Sequence, residues 1–326
     1  MKSNRNLFIL VVAVLLSIVL VASTSALIMS GVREDPVRIS VVVDDSGSTR
    51  WASFLAGLEQ AAKDNGVKLN VVPTGRNFTL KQQQMAINDE IADGADGVVL
   101  QIASSRGTEE MISEVSNKVV LMLVDTTADM DVDVEGKSAC IDADNLAVGR
   151  ALANEVRIAF GNDLSGHKLG IVAGNQKQNS LIERMEGFNE NIASSGAVVA
   201  WTDNSIVDVS ERIEICQSQE KADILVALDN TGLEAVCDYA LRTGDKFYIF
   251  GEGTSIKNVS YLDDGIINSM VVPNEYYMGY QSIVAIMRRL DNKLTPMEDQ
   301  KISYRVVNRE NLFDESNQRA LFPVVE

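Results

Sequence analysis

The stretch Ile39–Val72, ISVVVDDSGSTRWASFLAGLEQAAKDNGVKLNVV, decides the fold. It opens inside RISVVVDD (Arg38–Asp45), a β-branched run that stops at two acids. Short apolar runs bounded by turn-forming residues read as buried strands. From Trp51 to Asn65, Phe54, Leu55, Leu58, Ala61 and Ala62 fall on one face at helical spacing, and Gly66 ends the pattern. VKLNVV then returns to an extended pattern. Strand, loop, helix and strand in this order make a βαβ unit, which implies a parallel sheet covered by helices.

The same alternation continues outward. Leu80–Asp93 reads as a helix, GVVLQI after DGAD as a third strand, and VVLMLVD, ending at Asp125, as a fourth. The pattern then restarts. SACID is a strand and Asn145–Phe160 a helix; KLGIVAG and Ser180–Ser195 form the next pair. AVVAW and DILVAL are strands around a helix near Glu211, and a helix over Thr231–Arg242 precedes the strand KFYIF. The expected fold class is α/β, with two doubly wound parallel-sheet lobes rather than one very wide sheet. No low-complexity linker separates the halves, which predicts a hinge crossed by short strands.

Composition narrows the function. The 326 residues are 46% hydrophobic and 23% charged, as in a soluble globular protein, with a formal net charge of −17. That field repels phosphate backbones and gives no expectation of a nucleic-acid partner. Cys140, Cys216 and Cys237 include no close pair, so neither a disulfide framework nor a CxxC metal site is expected. They read as small buried hydrophobes. The one histidine, His167, reads as a solvated loop residue in SGHK. Histidine-based catalysis and metal binding therefore lack raw material, no cofactor is expected, and acid pairs such as Asp263–Asp264 before Gly265 read as plain turns.

The first 36 residues form a separate segment. Leu7–Met29 carries no charge over 23 residues, about 34 Å as a helix, enough to span a bilayer core. Lys2 and Arg5 precede it, which orients the rest of the chain outside the cytoplasm. VASTSA offers a possible cleavage site, so a transmembrane anchor and a removed signal segment are both open, with the anchor preferred. No cysteine lies near it for a lipid anchor.

Ligands of open parallel sheets bind beyond the carboxyl ends of the strands, at the switch point. The side chains there are Asp44, Asp45 and Ser46, then Gln101, Asp125, Asn175, Asp229 and Glu252. Such residues also serve as turn formers and helix caps, and spacing alone leaves the two roles equal.

Several segments, in order, resemble the type I periplasmic binding proteins of the ribose/galactose sugar class. The opening stretch is similar to the family's first strand, ligand loop and helix. QQQMAINDEIADGADGVVLQ, VVLMLVDTTAD, CIDADNLAVGRALANEV, GIVAGNQKQNSLIERMEGF, FGEGTS and DDGIINSMVVPNEYYMGYQSIVAIM follow in family order, over about Arg38–Val307. LacI-type repressors share the fold but carry a DNA-binding motif where this chain has its apolar span.

The resemblance implies lobe 1 over about 37–143 and 274–303, and lobe 2 over about 144–273 and 304–326. It implies an extracytoplasmic, non-enzymatic solute-binding protein that closes around a sugar or similar polar solute. Its partner would be an ABC permease or a membrane sensor kinase. Carried over by position, Ser48, Arg50, Trp51, Gln101, Asp125 and Thr126 would come from lobe 1. Asn179, Ile182, Asp229 and Glu252 would come from lobe 2, with Pro273 and Asn274 near the last crossover. Carboxylates and amides suit vicinal hydroxyls, and an indole face suits a sugar ring. The chain departs from the family at Arg50, where an aromatic is usual, at Thr126 and Ile182, where arginine is, and at Pro273, where glutamine is.

One alternative comes from another class. Asp44, Ser46 and Ser48 spell D-x-S-x-S, which resembles the metal-ion-dependent adhesion site of von Willebrand A domains.

Overall fold

The computed structural model describes residues 12–21, 23, 35–129 and 137–322. The chain forms two units, Met1–Val37 and Arg38–Glu326. In the first, residues 12–21 are helical and Leu16 and Leu20 are exposed. The span expected over Leu7–Met29 falls within the described residues only at positions 12–21 and 23. No helix among the described residues is long and apolar enough to cross a membrane.

The second unit alternates strands and helices. In chain order they are β1 (Arg38–Val42), α1 (Ala52–Asn65), β2 (Lys68–Val71), α2 (Leu80–Ala92), β3 (Gly97–Leu100), α3 (Glu109–Ser116), β4 (Val120–Val124) and β5 (Ser138–Ala143). Then come α4 (Asn145–Ala159), β6 (Lys168–Val172), α5 (Asn179–Ile192), β7 (Val198–Asp203), α6 (Val209–Gln219), β8 (Ile224–Ala227), α7 (Asn230–Thr243), β9 (Tyr248–Glu252), α8 (Ile256–Asp263) and β10 (Ser269–Pro273). The chain ends with α9 (Glu275–Asp291), β11 (Gln300–Ile302), β12 (Tyr304–Asn308) and α10 (Glu315–Leu321). Helix α3 went unread in the sequence because an eight-residue EEMISEVS is barely two turns long, too short for periodicity to stand out.

The strands form two six-stranded sheets, β11-β5-β4-β3-β1-β2 and β12-β10-β9-β8-β6-β7. All pairings are parallel except β10 with β12. The central strands β3 and β8 are buried along their whole length, as parallel strands covered on both faces must be. Each sheet has its own core: Val98, Leu100, Ile112 and Leu121 belong to one, and Leu225, Val236, Ile249 and Met270 to the other.

The two sheets repeat one local plan. Just before β3, Asp96 accepts a hydrogen bond from the Arg38 amide at the start of β1 (3.0 Å); just before β8, Asp223 does the same for Lys168 at the start of β6 (2.8 Å). His167 also pairs with Asp223 and packs against the Phe160 ring at 4.4 Å, so the residue read from the sequence as a solvated loop position is half-buried and partnered. The three cysteines are free and buried, as read.

Helix packing repeats too. A Cβ on Gly57 of α1 would lie 2.0 Å from the Tyr276 carbonyl oxygen of α9, and one on Gly279 would lie 2.1 Å from that of Phe54. In the other lobe Gly149 of α4 and Gly187 of α5 meet the Arg184 and Leu146 carbonyl oxygens at 2.0 and 2.1 Å. Each pair of backbones approaches so closely that only glycine fits. The helix that follows β5 packs in the second lobe, and the one that follows β10 packs in the first.

The chain passes between the sheets at Ala143–Asn145, at Pro273–Glu275 and at Ile302–Tyr304. The Asn274 amide donates to the Ser303 carbonyl (2.9 Å), which ties the second crossing to the third. Lys301 reaches Asp142 Oδ2 (2.8 Å), which ties the third to the first.

Candidate functional site

The carboxyl ends of both sheets face one another, and the loops beyond them are hydrogen-bonded across the gap. The Ser105 amide, after β3, donates to the Lys177 carbonyl, after β6 (2.8 Å). Gln178 Nε2 donates to the Ile102 carbonyl (2.8 Å), Asn175 Nδ2 to that of Ala103 (3.2 Å), and the Asn179 amide to Ser105 Oγ (2.8 Å). Asn179 Nδ2 also donates to Thr127 Oγ1 (3.3 Å), and Thr126 Oγ1 accepts from the Ser180 amide (3.2 Å). Asn175, Asn179 and Thr126 thus join the lobes to each other.

Between these joints lies a buried charged cluster. Asp125 follows β4 with φ +68°, a left-handed conformation that few non-glycine residues adopt and that occurs where surroundings over-determine the backbone. Its Oδ2 accepts from Arg50 Nη2 (2.7 Å) and Gln101 Nε2 (2.6 Å). Gln101 Oε1 accepts in turn from the Asp44 amide (3.2 Å). Burial alone would push the Asp125 carboxyl up, but the Arg50 and Arg184 guanidiniums outweigh it and hold the pKa below the usual aspartate value. Arg50 is conversely held charged: burial opposes its proton, and Asp125, Glu275 and Glu252 together more than restore it.

Arg184, from α5, is the second lobe's counterpart and is 4% exposed. Its Nη1 lies 2.9 Å from Glu252 Oε2 and donates to the Leu228 carbonyl (2.8 Å). Its Nε donates to Asn145 Oδ1 (2.8 Å) at the first crossing, and its Nη2 stands 4.0 Å from Asp125 Oδ1 in the other lobe. Burial raises the Glu252 pKa, and Arg184 and Arg50 offset only part of that rise. Glu275, at the start of α9, accepts from Thr254 Oγ1 (3.1 Å); burial drives its pKa up to about 8.

The structure thus brings together Arg50, Gln101, Asp125 and Glu252. The remaining expected site residues go elsewhere. Trp51 is the main correction: its ring is fully buried, 4.1 Å beneath the Arg50 guanidinium and packed on Phe54 at 5.4 Å, with Nε1 donating to the Asp44 carbonyl. It is a packing anchor that carries Arg50, not an open platform for a ring. Ser48 caps a 3₁₀ turn, its Oγ accepting from the Arg50 amide (3.4 Å). Asp229 and Asn274 cap α7 and α9 by accepting from the Gly232 and Tyr277 amides (2.6 and 3.2 Å). Ile182 is exposed on α5, and Pro273 is buried opposite Tyr304 at the second crossing.

Arg184, Glu275, Asn145 and Thr254 were missed. Arg184 lies two residues beyond Ile182, in a helix whose hydrophobic face should have flagged a buried charge. Glu275 carries no such signal, because an acid in the first turn reads as a partner of the helix dipole.

The D-x-S-x-S oxygens are committed to the loop. Asp44 Oδ1 accepts from the Phe78 amide (2.7 Å), and Ser46 Oγ from that of Thr74 (2.9 Å). Together with the Ser48 cap, this is turn chemistry, and the adhesion-site alternative is corrected accordingly.

Comparison with known proteins points the same way. Residues 39–294 match the family described as periplasmic binding protein domain. The ABC transporter periplasmic-binding protein YphF of Escherichia coli K12 is 22% identical over 213 residues, 64% of this chain and 62% of that protein. The chain therefore spans less than two-thirds of this relative's length. A carbohydrate transporter solute binding protein from Agrobacterium radiobacter, in complex with D-arabinose, superposes with a TM-score of 0.79 at 19% identity, covering 89% of this chain and 100% of the other. An ABC transporter solute binding protein from Agrobacterium vitis bound with α-D-tagatopyranose gives 0.78 at 15% identity, covering 88% and 100%. GanP, a glucose-galactose binding protein from Geobacillus stearothermophilus, gives 0.74 at 18% identity, covering 86% and 99%.

These structures share the fold, a two-lobed α/β body of the type I periplasmic binding class. The chain belongs to the periplasmic binding protein domain family.

Proposed function

We propose that this protein is an extracytoplasmic receptor that closes its two lobes around a sugar or similar polyol and presents it to an ABC-type permease. The observation that carries the reading is the cluster Arg50–Asp125–Gln101 from one lobe facing Arg184–Glu252 from the other. Each lobe offers carboxylates that accept from vicinal hydroxyls and a guanidinium that donates to them, on side chains largely withdrawn from solvent. The Asp125 and Glu252 charges already have partners, so a neutral ligand adds hydrogen bonds without stranding a charge. Closure is favoured only by contacts a ligand makes to both lobes at once, and this arrangement supplies them. The relatives support the ligand class, being named as binding proteins and bound to pentose or hexose sugars. They support a binding role over an enzymatic one for the same reason.

In this reading the lobes run over about 37–143 with 274–303 and about 144–273 with 304–326, and the uncharged stretch Leu7–Met29 keeps the body at the outer side of the membrane as an anchor. N-terminal sequencing of the mature protein checks the anchor; a start near Ala26 or Leu27 contradicts it. A thermal-shift screen over D-arabinose, D-galactose, D-glucose, polyols and amino acids tests the ligand class. Binding at ~100 times Kd adds about 2.7 kcal/mol of stability. A shift with amino acids and none with sugars overturns the reading.

A further inference from the structure

Asp125 and Glu252 each have a guanidinium in direct contact, at 2.7 and 2.9 Å. Glu275 is as buried as Glu252, at 4% exposed, but it accepts a hydrogen bond from the Thr254 hydroxyl at 3.1 Å rather than from a guanidinium. No cation among the described residues stands within ion-pair distance of it. The cluster therefore holds two guanidiniums, of Arg50 and Arg184, against three carboxyl groups. Thr254 Oγ1 also lies 3.4 Å from the Arg50 carbonyl of the first lobe, so Glu275 sits where the two lobes meet.

We infer that the cleft selects a sugar that carries an ammonium group over its neutral counterpart, and that Glu275 sets this choice. The inference rests on the sugar-binding reading above and refines it. A hydroxyl gives a buried carboxylate one neutral hydrogen bond. An ammonium gives it three donors and the opposite charge, and balances the third carboxyl. The state of Glu275 fits this role. Desolvation raises its pKa to about 8, Arg50 offsets part of the rise, and Glu252 and Asp125 add to it. At neutral pH the side chain is mostly protonated, and an incoming cation draws it into the anionic form with release of a proton.

The test is calorimetry of the full-length protein with D-glucosamine, D-galactosamine, their N-acetyl derivatives, D-glucose and D-galactose. The wild type is expected to bind at least one free amino sugar ten-fold or more tightly than both its neutral and its N-acetyl counterparts. Repeating the titration at pH 7 in two buffers of different ionisation enthalpy should show proton release with the amine and none with the neutral sugar. Glu275→Gln should bring the ratio of amine to neutral-sugar affinity down to about one, whatever the variant's neutral-sugar affinity itself becomes. The wild-type comparison stands even if that variant folds poorly. Neutral sugars binding as tightly as the amines, or a preference that survives Glu275→Gln, overturns the inference and leaves the sugar reading intact. Failure of every sugar in the set overturns the inference, and the sugar reading falls with it only if D-arabinose and the polyols of the thermal-shift screen fail as well.

Discussion

The two lobes are one architecture used for two chemical tasks. Both sheets run in the same strand order, both tie the first strand's opening amide to an aspartate before the third, and both cross a helix pair at reciprocal glycines. Their facing ends differ. The first lobe holds its carboxylate mainly through its own side chains: Arg50 and Gln101 bond Asp125, while Arg184 of the other lobe stands 4.0 Å away. The second lobe holds Glu252 through Arg184, which also grips Asn145 at the first crossing. One half of the site is thus pre-formed on rigid strand ends, while the other is anchored to the hinge. Repetition fixes where the polar residues stand, and the side chains grafted there make the halves unequal.

The largest effect expected is at the hinge-linked half. Arg184→Leu leaves Glu252 buried and unpaired, and breaking such a pair costs about 3–5 kcal/mol. Denaturant unfolding should show this loss. Arg50→Leu should cost clearly less, since Asp125 keeps Gln101 and its pair with Arg50 is more exposed, at 21% and 12% for the two side chains. Equal losses would dissolve the contrast between the lobes.

Next come the glycines, where the lobes should behave alike. Gly57→Ala and Gly149→Ala each set a Cβ 2.0 Å from a backbone oxygen that no rotamer can move. Each should cost about 3 kcal/mol, at the top of the ordinary overpacking range. A tolerated alanine in one lobe only would show that its helices have room to separate.

The sequence made the architecture legible because βα periodicity is local. Burial on both faces leaves β3 and β8 as uninterrupted apolar runs, and Gly66 marks the end of α1 by its left-handed φ of +64°. The site was only half legible. Gln101, Asp125 and Glu252 end strands and could be found from the rule that ligands sit there. Trp51 misled because an indole at a helix start serves a core and a ring-binding platform equally well, and only its burial separates them. Arg184 and Glu275 depend on which helix face meets the other lobe, a relation between segments far apart in the chain. Resemblance pointed to α5 for an arginine, but two residues early, at the exposed Ile182.

Acidity gives the third contrast, since a strongly perturbed carboxyl stands where the lobes join. With its folded pKa raised to about 8, Glu275 keeps its proton when folded at pH values where the unfolded chain has lost it. The folded state then binds more protons, so stability falls as pH rises between the usual glutamate pKa and about 8, by at most about 1.4 kcal/mol per pH unit from this group. Thermal melts from pH 5 to pH 9 should show the decline, and Glu275→Gln should flatten it. An unchanged slope in that variant would place the titration elsewhere.

The smallest effect should again be nearly symmetric. Asp96→Ala and Asp223→Ala each remove an acceptor from a strand-opening amide, and each should cost roughly 0.5–1.5 kcal/mol, with Asp223→Ala toward the upper end because it also strips His167 of its partner. A difference beyond that range would show that the shared plan carries unequal weight in the two lobes.

The central claim is that both lobes hold one ligand together, and calorimetry on a double-mutant cycle tests it most directly. With a sugar identified by the thermal-shift screen, Asp125→Asn and Glu252→Gln should each weaken binding by roughly ten- to a hundred-fold, the equivalent of about 1.5–3 kcal/mol for a lost hydrogen bond to a charged group. The double variant should lose less than the sum, because a ligand no longer gripped by one lobe gains little from the other. Wild-type affinity in both single variants would contradict the account and leave these strand-end acids as structural residues.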